Sequence, residues 1–121
     1  MGLTSGTHQR AITRIAGAAI AKGQALKKGA DDGKVVPCAL ATDVAIGVAG
    51  DAAAIGEPVP VLLLGGAGST VSVLATGAIA VGDAVGVLGA AVSSGLHIGR
   101  ALDPAAAGEL FEVDPATCAA L

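Results

Sequence analysis

The chain has 121 residues, of which 53% are apolar, but it carries a single aromatic (Phe111), 19 glycines and a formal charge of −3. The acidic balance and the lack of Trp and Tyr exclude the basic face and base-stacking platforms of a nucleic-acid binder. The apolar run Val61–Leu64 is far too short to span a bilayer as a helix.

Residues 1–10 are polar and rich in Gly, Thr and Ser and read as an extended arm. They lack a basic segment followed by an apolar stretch, so no secretory signal is visible and an intracellular origin is expected. Short apolar segments separated by glycine follow. Strands are predicted over 11–16, 24–28, 34–40, 45–49, 58–64, 70–75, 84–88, 97–101 and 109–113. Alanine favours helix, but glycine interrupts every alanine run and the Val and Ile content favours strand. Pro58 and Pro60 alternate within the fifth segment, so both missing N–H groups point toward one side, which must need no donor. Residues 65–70, Gly-Gly-Ala-Gly-Ser-Thr, resemble a phosphate loop but lack its Lys and open no helix, so a hairpin loop is expected.

The chain repeats itself. Residues 46–57 (IGVAGDAAAIGE) agree with residues 98–109 (IGRALDPAAAGE) at eight of twelve positions, 52 residues apart. Residues 19–26 (AIAKGQAL) match residues 78–85 (AIAVGDAV) at an offset of 59, so the first half holds seven extra residues between its motifs. Asp103-Pro104-Ala105-Ala106-Ala107-Gly108 reads as a single helical turn with an N-cap, a first-turn proline and a terminating glycine, and residues 51–56 repeat it without the proline. Four Gly-polar pairs, Gly23-Gln24, Gly56-Glu57, Gly82-Asp83 and Gly108-Glu109, each precede by two residues an apolar core candidate: Leu26, Val59, Val85 and Phe111. The expected organisation is an arm with the lead into the first strand over 1–14, then a single β domain over 15–121 made of pseudo-repeats near 18–64 and 77–114.

Catalytic chemistry is sparse. His8 lies in the arm and His97 in a strand, where a structural role is expected. The two His and two Cys, far apart, have no zinc spacing. Ser69, Ser93 and Ser94 occupy no nucleophile elbow. Asp51, Glu57, Asp103 and Glu109 recur beside Gly and Ala runs and read as turn or cap residues rather than paired acids. Cys38 and Cys118 are expected to be reduced, buried small residues. Lys27-Lys28 and Asp31-Asp32 read as a solvated hairpin tip. Arg10 and Arg14 flank Ile12 on one face of an extended strand, where they could clamp acidic groups of a partner. No catalytic residue, cofactor or metal is assigned.

The segments 18–27, 45–61, 78–85 and 97–113, in that order, resemble the tailed-bacteriophage capsid cement, or decoration, proteins. The resemblance spans about residues 8–114. It implies a mostly β, compact, pseudo-symmetric small barrel of the β-tulip or β-clip type, with short helical turns and an extended N-terminal arm. It also implies a structural protein of the virion exterior, made in the host cytoplasm, that binds the major capsid protein and cements adjacent subunits against DNA pressure. A homotrimer is favoured, with no direct nucleic-acid or membrane contact. Carried onto this chain, the capsid-binding candidates are Thr4, Thr7, His8, Gln9, Arg10, Ile12 and Arg14. A lipoyl- or biotinyl-type carrier domain is the alternative, but Lys27-Lys28-Gly29 does not fit its modified-lysine hairpin. A small β-clip enzyme fits least, for want of aromatics and a His/acid cluster.

Overall fold

The computed structural model describes residues 11–31, 33–64 and 70–120. Among the described residues nine strands appear, in the order expected: β1 (Ala11–Ala16), β2 (Ala25–Lys28), β3 (Lys34–Pro37), β4 (Gly47–Ala49), β5 (Pro58–Leu63), β6 (Val71–Leu74), β7 (Ala84–Gly86), β8 (Leu96–Ala101) and β9 (Leu110–Ala120). The first five close into a barrel in the order β1-β3-β2-β4-β5, and the last four form a sheet in the order β6-β9-β8-β7. The molecule is thus mostly β, built on a small barrel.

The two halves share one wiring. β1 pairs with β5, β5 with β4 and β4 with β2; correspondingly β6 pairs with β9, β9 with β8 and β8 with β7. The difference is β3, which joins β1 in parallel and β2 in antiparallel and so closes the first half. The seven extra residues of the first half accommodate this closing strand. In the second half a tight return replaces it, with the Gly86 N–H donating to Ala90 O at 2.8 Å and Ala91 bridging Val85.

Alternation along the strands divides the core in two. Leu26, Val35, Ala49, Val59 and Val61 fill the barrel, with Ile12, Ile46 and Leu63 packed at its margin. On the opposite faces of β2 and β4, Ala25 and Val48 join Val71, Val73, Val85, Ile98, Phe111 and Val113 in a second cluster. The second sheet therefore covers the outer wall of the barrel, which explains why β4 is buried at all three positions.

The repeated sequence forms turns, not helices. Among the described residues no helix occurs. Ala105 instead bridges Ile79 in extended conformation, and Ala53 bridges Ile20 in the same way. A lone helical turn fixes several dihedrals for one hydrogen bond, whereas each bridge here makes two. Each Gly-polar pair closes a four-residue turn: Ala21–Gln24, Ala54–Glu57, Ala80–Asp83 and Ala106–Glu109. The last N–H donates to the first carbonyl at 3.0–3.2 Å. The same polar residue reaches back, its side-chain oxygen accepting the N–H of the turn's first alanine at 2.8–2.9 Å. The glycines adopt φ of 87–89°, the region that only glycine enters without strain.

These turns lock together in pairs. Gly23 N–H donates to Ala49 O and Gly56 N–H to Ala16 O, while Gly82 N–H donates to Ala101 O and Gly108 N–H to Ala75 O. Each receiving alanine is 1% exposed. The pseudo-repeat is consequently fourfold in its parts. Ala16, Ala49, Ala75 and Ala101 each start an eleven-residue unit with the turn glycine at the eighth place and Leu26, Val59, Val85 or Phe111 at the last.

Because Gln24 does with a neutral amide what Glu57 does with a carboxylate, the acceptor oxygen matters and the charge does not. Glu57→Gln is therefore expected to leave the denaturation midpoint unchanged. Glu57→Ala should cost about 0.5–1 kcal/mol, read by urea unfolding.

One strand end differs from expectation and one proline arrangement matches it. β9 runs on to Ala120 rather than stopping at Val113, because Pro115 falls opposite Gly99 at a bulge, where a missing donor is tolerated. Pro58 and Pro60 turn their nitrogens to the side where β4 has already ended, and the Pro60 carbonyl accepts the Gly50 N–H at 2.9 Å just past that end. The two prolines thus face a side that requires no donor from them, as expected.

Candidate interaction surface

Thr4, Thr7, His8, Gln9 and Arg10 lie outside the described residues, as do 65–69 of the expected hairpin loop and Asp32. Ala11–Arg14, grouped with the arm from sequence, are paired residues of β1, facing Leu62 to Val59 of β5. Ile12 is half-buried against the barrel core, so it packs rather than projects. Arg14 shares the inward register of Ile12 and Ala16 but is exposed, its Nη1 donating to Thr13 O at 3.1 Å.

Arg14 reaches solvent because the barrel is incomplete beside it. β3 meets β1 only at Ile15 and Ala16. Below that level the Ile15 N–H donates to Gly33 O at 3.0 Å, and no further strand neighbour lies on that edge among the described residues. The opening is a depression of about 260 Å³ lined by Arg14, Lys28, Gly33, Lys34, Val35 and Ile46. Lys34 pairs with Asp31 at 3.4 Å. The sequence put Arg14 on one face with Ile12, and the structure adds the lysines of two other strands beside it.

Several other polar groups make contacts within the fold. His97 Nδ1 lies 3.0 Å from Ala119 O across the β8–β9 pair, as expected of a strand histidine. Glu112 accepts from Thr70 Oγ1 at 3.1 Å and Ser72 Oγ at 2.7 Å. Asp43 organises the loop after β3: its Oδ2 accepts from the backbone N–H groups of Ala39 and Leu40 at 2.9 Å and from Lys27 Nζ at 3.0 Å. Backbone donation from Leu40, then Lys27 and Ala39, lowers its pKa to about 2. Since the folded pKa is below the usual 3.8, Asp43 stabilises the fold fully above about pH 4 and loses that contribution as pH falls toward 2. Asp43→Asn should flatten the fall in stability between pH 5 and pH 2.5, measured by urea midpoints at each pH.

A cleft of about 320 Å³ lies between the halves, lined by Gly23 to Ala25, Cys38, Val73, Leu74, Thr76 and Val87 to Gly89. Its polar chemistry is slight. Burial and then Asp43 raise the Cys38 thiol to about 11, which keeps it protonated and unreactive near neutrality. Cys38 and Cys118 are both free and half-buried against the same core cluster. Among the described residues no polar side chain is buried and no group of three or more His, Cys, Asp or Glu gathers. Lys27 is held in the β2 wall by Asp43 rather than displayed at a hairpin tip.

No protein-family model matches the chain, and no curated protein matches it either. Among solved structures, the chain is similar to the N base of the head fiber protein gp8.5 of bacteriophage phi29. The two share 21% identity and a TM-score of 0.70, over 92% of this chain and 97% of that one. The fold described above is therefore one that a base domain on a phage head also uses.

Proposed function

We propose that this protein is a non-enzymatic structural component of a phage virion that sits on the outer surface of the head. There it binds the major capsid protein and cements adjacent subunits against the pressure of packaged DNA. The observation that carries the reading is the near-complete likeness to the base domain of a head fiber protein, covering 92% of the chain. The four sequence segments that resemble decoration proteins support it, as does a core without buried polar chemistry among the described residues.

Cementing needs many weak contacts made together, and a self-associating protein supplies them through effective concentration. A homotrimer is the favoured state. Ala11, Thr13, Ile15, Pro58 and Pro60 give the β1–β5 ribbon an uncharged outer face suited to a neighbouring copy. Assembly takes place from the host cytoplasm, and neither DNA nor membrane is contacted.

Co-sedimentation tests the reading. The protein should pellet with heads built from the major capsid protein encoded in the same phage genome, and saturate at a fixed number of copies per head. Protein that stays in the supernatant at micromolar concentration refutes it.

A further inference from the structure

We propose that Cys38 and Cys118 form a redox latch, joining in one disulfide across the seam where the second sheet covers the barrel. Cys38 directly follows β3 and stays in the barrel wall, its N–H donating to Ala25 O at 2.9 Å. Cys118 lies in β9, the long strand of the covering sheet. Both thiols are free. Both pack against the one cluster that unites the layers, with Ala25 and Val48 from the barrel and Ile98 and Val113 from the sheet. After burial and Asp43, Cys118 is a further cause of the raised Cys38 pKa, so the two sulfurs lie within electrostatic reach of each other.

Neither cysteine is fixed in a regular ladder. Between β3 and β4 the chain from Cys38 to Ile46 forms no strand. In β9, Pro115 stands opposite Gly99 and Ala119 opposite His97, so residues 116–118 bulge against the single Ile98. Backbone adjustment at these two places brings the sulfurs into bonding geometry. The cleft of about 320 Å³ along the seam is lined by Cys38 and opens that side to solvent. The oxidant is a small disulfide, such as oxidised glutathione. Burial keeps the Cys38 thiol protonated, so Cys118 makes the first attack, releasing one glutathione and forming a mixed disulfide. Cys38 then loses its proton, attacks the Cys118 sulfur and expels the second glutathione. Two protein thiols are thus oxidised to one disulfide while one glutathione disulfide is reduced to two thiols. The closed loop, from residue 38 to residue 118, is long and strongly restricts the unfolded chain. The timing alone rests on the head-protein reading: the latch stays open in a reducing cytoplasm and closes once the virion has left it.

Oxidised glutathione added to the purified full chain tests the latch. The intact mass should fall by about 2 Da, the two hydrogens lost, with no covalent joining between chains. Trypsin should then leave residues 35–100 and 101–121 linked until dithiothreitol is added. The thermal midpoint should rise by about 5 °C or more on oxidation and return on reduction. Cys38→Ser and Cys118→Ser should each show no rise with the same oxidant, and Cys38→Ala and Cys118→Ala serve if serine disturbs folding. Any of four results overturns the latch: no reaction, glutathione retained on both cysteines, disulfides only between chains, or an internal disulfide that leaves the midpoint unmoved. No heads enter this experiment. Its failure therefore leaves the head-binding reading standing, and a failure of co-sedimentation leaves the latch standing.

Discussion

Replacing Phe111 by alanine is expected to cost about 3–5 kcal/mol, the largest loss from any single truncation in this chain. Phe111 is the one aromatic among 121 residues and is 3% exposed. It lies opposite Val73 in the β6–β9 pair and packs within a cluster made almost wholly of Val, Ala and Ile. Such short, branched neighbours cannot swing into the void, so the cavity stays open and its cost is felt in full. A small domain has only about 5–15 kcal/mol in total, and one with so few large side chains is expected near the lower end. Far-UV circular dichroism against urea should show Phe111→Ala with its midpoint moved close to zero denaturant. Phe111→Leu should be much milder, because Leu26 already occupies the equivalent place in the first unit. A loss under about 1 kcal/mol for the alanine variant would mean that Phe111 is not a keystone of the second cluster.

Gly23→Ala should also cost heavily, and the comparison with its three counterparts in the other locked turns is the informative part. All four turn glycines have φ near +88°, so alanine at any of them incurs about 1–2 kcal/mol of left-handed strain. At Gly56, Gly82 and Gly108 a new methyl group would meet nothing within 4 Å. At Gly23 it would fall 2.7 Å from the Leu74 backbone nitrogen and 2.6 Å from a Leu110 methyl. Gly23 O accepts the Leu74 N–H at 3.0 Å, so this turn is where the barrel is fastened to β6. Backbone cannot give way as a side-chain end can, and overpacking should add about 1–3 kcal/mol to the strain. Thermal melts of the four variants should place Gly23→Ala clearly below three that cluster together. Four equal losses would show that the contact between the halves is not rigid.

Much of this architecture was legible in the residues. Period-two alternation and glycine punctuation located all nine strands, and the Gly-polar pairs marked every strand that follows a locked turn. The alanine seven residues before each of those glycines was equally visible in Ala16, Ala49, Ala75 and Ala101, and it would have turned the doubled motif into a fourfold one. Its meaning is spatial, however: each alanine is small because another unit's turn docks on its carbonyl. The helical reading of residues 103–108 went astray for a related reason. Local rules favoured a capped turn, while the pairing of Ala105 with Ile79, 26 residues away, held the backbone extended. β9 extended past Pro115 because the bulge at Gly99 lies on a different strand. The candidate surface shows the same limit. Arg14 could be placed on a face from spacing alone, but the gap in the barrel that exposes it depends on where β3 begins.

A protein that strengthens a head by bridging its subunits, as proposed, must raise the temperature at which heated heads release their DNA. Heads without the protein and heads saturated with it would be warmed in the presence of a DNA-binding dye. Release is expected at a higher temperature for the saturated heads than for the bare heads. Heads that carry a full complement of wild-type protein yet release their DNA at the temperature of bare heads would contradict it.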